Sequence, residues 1–181
     1  CTGYRLDGTD TEPNMYVGII INRSLADTTD SVTGLGDIHA LVNAIGEMRR
    51  VARRADLIAI KIDDIAQVNA RFGFDAGDRV LAESAACLME CSRGKGRLFR
   101  STGPTFAALF DDFDPEETDA IAEEIERFLG SPVLIGSLEY QPPIRVATLH
   151  LDSVDRQPVS ILNELKALLK EAPQVPGTKL D

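Results

Sequence analysis

The chain has 181 residues, with 29 Asp and Glu against 19 Lys and Arg and a formal net charge of −10. That length suits one domain with a full core plus an appendage, and so acidic a surface excludes extended nucleic acid as a partner. No apolar run approaches the roughly 18 residues of a membrane span, and three cysteines without a repeating spacing make no disulfide framework, which fits a reducing, cytoplasmic setting even if a parent protein is anchored elsewhere.

Residues 1–27 read as a tail or linker belonging to a larger protein, ahead of a folded unit over 28–181. Two strand candidates, Tyr4–Asp7 and Met15–Asn22, lie in this tail on either side of a Gly/Asp/Pro-rich connection. Asp37 is a good N-cap for a helix to about Arg54, with Ile38, Leu41, Val42, Ile45, Met48 and Ala52 on one face. Arg49, Arg50, Arg53 and Arg54 close that helix, where cations complement its dipole.

Leu57–Ile62 is a β-branched apolar run of strand length, and Asp63-Asp64 then opens a short helix ending at Gly73. Gly77–Cys91 reads as a second helix through Val80, Leu81, Ser84, Leu88 and Cys91, before Gly94 and Gly96 break the chain. Two strands follow, Arg97–Ser101 and Thr105–Phe110. Asp114-Pro115-Glu116-Glu117 starts a helix whose apolar stripe is Ile121, Ile125, Phe128 and Leu129, stopped by Gly130. Val133–Ile135 and Leu138–Gln141 suit a hairpin, Ile144–Leu151 a long strand, and Val159–Glu171 a closing helix ended by Pro173. This order predicts an α/β (α+β) domain, a central mixed sheet covered by helices. Ile60, Ile62, Val80, Leu81, Phe106, Ile121, Ile125 and Val146 are the expected core.

Asp56–Asp78 carries the functional question. A strand that delivers a polar turn to a helix N-terminus presents free N–H groups and a favourable dipole to phosphate. Asn69 and Asp78 bracket the next turn. An amide and a carboxylate suit the Watson–Crick edge of guanine, and the same two residues are equally ordinary as cap and turn residues.

Three collinear strings carry a resemblance. Lys61-Ile-Asp63-Asp64-Ile-Ala66-Gln-Val-Asn69 runs on to Gly73-Phe74-Asp75-Ala-Gly77-Asp78. Asp30-Ser-Val-Thr33-Gly34-Leu35 stands upstream of it, and Arg100-Ser-Thr102-Gly103-Pro104-Thr105-Phe106-Ala downstream. Over about residues 28–172 the chain resembles GGDEF domains, the diguanylate cyclase family, with their motifs D-I-D-x-F-K-x-I-N-D-x-x-G-H-x-x-G-D, D-x-L-T-G-L and R-x-G-G-D-E-F-A. The tail around Met15–Asn22 is similar to the last strands of a PAS sensor domain.

The resemblance implies a ferredoxin-like palm as in nucleotidyl cyclases. In active members each of two facing subunits binds one GTP, and two Mg²⁺ ions are held by the first Asp of D-I-D and the fourth residue of the signature turn. Those positions are Lys61 and Thr105 here, so no metal is expected. Thr102 and Pro104 replace the first and third turn residues, whereas Gly103 and Phe106 match the family. The phosphate lysines of D-x-F-K and of the closing helix correspond to Ala66 and Ala172, with Lys170 a turn away. Asn69, Asp78, Asp63 and Gly103 are what remains of the nucleotide site, and Arg93 of the product-inhibition site R-x-x-D. The expectation is a degenerate, catalytically silent domain without cofactor, acting as a regulatory or dimerisation module of a bacterial cyclic di-GMP signalling protein. Its partners would be a second copy and the parent's other domains. The alternatives are a receptor for GTP or cyclic di-GMP, and an active cyclase that uses Asp63 or Asp64 as unconventional Mg²⁺ ligands.

Overall fold

The computed structural model describes residues 28–180 apart from 52–53, 93, 112 and 152–155. The strand candidates at Tyr4–Asp7 and Met15–Asn22, the PAS-like tail and Arg93 lie outside the described residues. The elements are α1 (Ile38–Val51), β1 (Ala55–Ile62), α2 (Ile65–Phe72), α3 (Phe74–Cys91), β2 (Arg97–Thr102), β3 (Thr105–Asp111), α4 (Pro115–Leu129), β4 (Val133–Ile135), β5 (Leu138–Tyr140), β6 (Ile144–Leu151) and α5 (Pro158–Glu171). The four long strands form one sheet in the order β2-β3-β1-β6, and β4 and β5 form a separate hairpin. The architecture is the α+β palm expected from the sequence, βαββαβ with helices on both faces. In one respect it differs from a mixed sheet: every pairing in the four-stranded sheet is antiparallel. β1 and β2 run parallel to each other, but β3 returns between them, so the two do not pair.

Alternation along β1 builds two cores. Ile58, Ile60 and Ile62 join Phe106 and Phe110 of β3 and pack on Val80, Leu81 and Leu88 of α3 and Ile125 of α4. Leu57 and Ala59 face the other way, with Ala107 and Leu109, toward Leu41, Ile45 and Met48 of α1 and Ile161, Leu165 and Leu169 of α5. A strand buried on both faces reads as a continuous apolar run, and this is why β1 was conspicuous in the sequence. Of the expected core residues, Ile60, Ile62, Val80, Leu81, Phe106, Ile125 and Val146 are buried, whereas Ile121 is half-buried. Phe128, expected on the buried stripe of α4, is 45% exposed. The stripe runs Thr118, Ala122, Ile125, Leu129; this i, i+4, i+7, i+11 register puts Ile121 and Phe128 at its edge.

Two boundaries move. Asp37 caps α1 as expected, its Oδ1 accepting the N–H groups of His39 at 2.8 Å and Ala40 at 2.9 Å. α3, however, starts at Phe74 rather than Gly77, immediately after Gly73 at φ 88°. Asp78 therefore lies in the second turn of a helix and neither caps it nor sits in the turn before it.

Candidate functional site

The site forms where β1 ends. There the Ile62 N–H donates to the Pro104 carbonyl at 3.0 Å and the Asp63 N–H to the Pro143 carbonyl at 2.8 Å, tying the loop to both neighbouring strands. Asp64 follows at φ 63°, a left-handed conformation that Asp tolerates better than most side chains. Its carbonyl accepts the Gln67 and Val68 N–H groups and starts α2.

The register places Lys61 opposite Thr105 on one side and opposite Arg145 on the other. Two cations directly opposed across a strand pair repel, so something must hold them. Asp63 does. Its Oδ1 lies 2.6 Å from Lys61 Nζ, and its Oδ2 accepts Arg145 Nε at 3.0 Å and Gln174 Nε2 at 2.6 Å. Arg145 Nη1 also donates to the Ala172 carbonyl at 2.6 Å, and the tail beyond α5 pairs through Val175 with Ile144. Asp63 is only 8% exposed. Burial alone would raise its carboxyl, but Lys61, Gln174 and Arg145 outweigh that and hold it below the ordinary carboxylate range. Both carboxylate oxygens are spent inside the protein.

The turn between β2 and β3, at the position of the expected signature, is a two-residue hairpin loop. Thr102 and Thr105 pair across it, with Gly103 at φ 53° and Pro104 between them. Thr102, where the family has its first Gly, ends β2 with an exposed side chain, and Phe106 is fully buried beneath the sheet. Arg100 anchors the turn: its Nε donates to the Gly103 carbonyl at 2.8 Å and its Nη1 to Asp30 Oδ1 at 3.0 Å. Asp30 also accepts the Thr33 N–H and hydroxyl. Burial would raise its carboxyl, and the bonds from Thr33 and Arg100 lower it on balance. Two of the three sequence landmarks thus meet in one ion pair.

Asn69 and Asp78 are near one another but not equivalent. Asn69 Oδ1 is buried, has no hydrogen-bond partner among the described residues, and faces Gly77 so closely that a Cβ there would lie 1.9 Å away. Asp78 is exposed. Tyr140 is fully buried, and its hydroxyl also lacks a partner among the described residues. Burial, with Asp64 and Asp63 nearby, pushes its phenol up to about 12. Ala66 and Lys170 are exposed on their helices. Arg145 and Gln174, which complete the Asp63 cluster, were not singled out from sequence. A lone cation inside the apolar strand Ile144–Leu151 was the available signal for Arg145; Gln174 had none.

A family model described as the diguanylate cyclase, GGDEF domain matches residues 27–169. Among curated proteins the chain is similar to diguanylate cyclase DgcS of Shewanella oneidensis, 29% identical over 84 residues that span 44% of this chain and 28% of that protein. It is also similar to cyclic di-GMP phosphodiesterase PdeR of Escherichia coli, 28% identical over 113 residues, 61% of this chain and 17% of that one. The match thus spans less than a third of either relative. Among solved structures, the FimX GGDEF domain from Pseudomonas aeruginosa superposes with a TM-score of 0.74 at 19% identity, covering 80% of this chain and 93% of that one. Diguanylate cyclase SiaD from the same organism, solved with its activator SiaC, gives 0.74 at 22% identity over 81% of this chain and 58% of that one. At such identities the likeness shows the fold.

Proposed function

The chain belongs to the GGDEF family of diguanylate cyclase domains, and from that premise we propose that it is a catalytically silent member, a regulatory or dimerisation module of a larger cytoplasmic cyclic di-GMP signalling protein. The observation that carries this reading is the Lys61–Asp63–Arg145 cluster. Mg²⁺ requires hard anionic oxygens in near-octahedral order. Lys61 offers a cation, Thr105 a neutral hydroxyl, and both oxygens of Asp63 are already engaged. These residues do not fit a pair of divalent cations on a triphosphate, and no step of catalysis is derived through them. The same engagement weighs against Asp63 as an unconventional metal ligand.

The test is product formation. Incubation of the domain, and of the longest available parent, with GTP and Mg²⁺ or Mn²⁺ should yield no cyclic di-GMP above background, beside an active family member as control. Sustained synthesis would overturn the proposal. One observation favours a second reading, a receptor for GTP or cyclic di-GMP: the Asn69 carbonyl is buried and unspent, an acceptor that a guanine N–H could satisfy once the side chain turns outward. Titration with each nucleotide, with and without Mg²⁺, separates the two.

A further inference from the structure

On the α1 and α5 face of the sheet, side chains stand in rows across the strands. Leu57 lies between Leu109 and Leu149, and these fill the space under the helices. In the next row toward the signature turn, Ala59 lies between Ala107 and Ala147. The methyl groups of Ala59 and Ala107 leave the space above them open, whereas Ala147 does not reach it. A cavity of about 590 Å³ occupies it, walled by Ile38 and Val42 of α1 and by Leu162 and Leu165 of α5. Small-molecule sites of about 300–1,000 Å³ are typical.

The charge around this cavity runs against that of the chain. Lys61, Arg145, Lys166 and Lys170 line it, and among the described residues no carboxylate does, in a protein of net charge −10. Asp63 balances one of the two charges on Lys61 and Arg145, leaving a surplus. On α5, Glu164 is engaged by Arg156, and Glu171 does not reach the lining. An apolar interior with a cationic mouth is matched at only one end by a bare inorganic anion or by an uncharged hydrocarbon. It complements a molecule with an apolar body and one anionic head.

We infer that the cavity binds a small amphipathic carboxylate. Its aliphatic body lies along Ala59, Ala107 and Leu165, and its head group meets Lys166 and Lys170 at the mouth. The cavity mouth includes Lys61, Thr102 and Thr105, so the inference rests on the proposed silence of the domain, which leaves those positions free of metal and triphosphate. Cyclic di-GMP synthesis would fail that reading, and absence of dodecanoate binding by a silent domain would fail this one. In an allosteric module such a site would give the domain a ligand of its own.

The test is titration with dodecanoate, kept below its micellar concentration, by calorimetry and by displacement of 1-anilinonaphthalene-8-sulfonate. Saturable one-to-one binding is expected, with dodecyltrimethylammonium failing to displace the dye. Lys166 and Lys170 are exposed, so Lys166→Glu with Lys170→Glu should leave the melting temperature unchanged and weaken dodecanoate roughly tenfold. Leu162→Trp, which fills the cavity, should abolish binding; if that variant does not fold, the lysine reversal decides. No saturable binding, equal binding of the cationic amphiphile, or full affinity in the lysine variant would each overturn the inference.

Discussion

Building a metal site at Lys61 and Thr105 should require two substitutions that do little singly and much together. Thr105 lies directly opposite Lys61, so the carboxylate of Thr105→Glu would form a cross-strand ion pair with it, a gain of about 0.2–1 kcal/mol. Lys61→Asp instead removes the 2.6 Å contact to Asp63 and sets a second carboxylate beside it. Because Lys61 is 43% exposed at its side chain, that loss is screened and should cost about 1–2 kcal/mol. Together the changes convert one positive charge into two negative ones, a swing of three units around a single point. Unit charges about 4 Å apart interact by roughly 4 kcal/mol at an effective dielectric near 20, so the double variant should be distinctly destabilised without metal and strongly attractive to Mg²⁺. At a hundred times its dissociation constant a bound ion adds about 2.7 kcal/mol, or roughly 5–10 °C for a domain of this size. Thermal denaturation with and without Mg²⁺ reads the effect, which should be absent in the parent and in both single variants and present in the double, a non-additive cycle. A Mg²⁺-dependent shift in Thr105→Glu with Lys61 still in place would refute the placement of the metal ligands.

Gly77→Ala should destabilise the domain by about 1–3 kcal/mol, although Ala is the better helix former, because the new Cβ collides with Asn69; adding Asn69→Ala should recover most of the loss in a denaturant-melt cycle. Asp63 carries a lowered folded pKa, so its stabilisation is complete above about pH 4 and lost as pH falls through that lowered value. Asp63→Asn should therefore cost stability at neutral pH and flatten the acid limb of a pH–stability curve, and an unchanged limb would show that the cluster is not coupled to folding. The Cys87 thiol is pushed up to about 12 by burial and by neighbouring Cys91. Alkylation by iodoacetamide at pH 8 should accordingly be slow in the native protein and rapid once urea unfolds it; rapid native labelling would contradict that packing.

What was legible in the sequence is what local pattern encodes. β1 stood out because both its faces are buried, and α1 because Asp37 is a capping side chain with a helical stripe behind it. The start of α3 was misplaced because its cap is Gly73, which acts through φ 88° and leaves no side-chain signature. The sheet was expected to be mixed because alternating helices and strands specify order but not which strand returns between two others. The site was half legible. Spacing located Lys61, Asp63, Asn69 and Asp78, but it could not reveal that Asp63 has partners 82 and 111 residues downstream, in Arg145 and Gln174. Such contacts follow from the register of β1 against β6 and from the return of the tail after α5, neither of which leaves a periodic trace.

The identity of those partners gives a physical reason why Asp63 stays ionised in its buried position. A carboxylate 8% exposed cannot stay ionised unpaired, because the cost of leaving a buried charge uncompensated exceeds that of most single contacts. Here the chain supplies the compensation, with Lys61 on the same strand, Arg145 on the next and an amide from the tail. The cluster is therefore charge-balanced within the protein. A carboxylate restored at the signature turn would enter a neutralised environment and find Lys61 before it found Mg²⁺, so the ion pair has to be removed before a metal can be added.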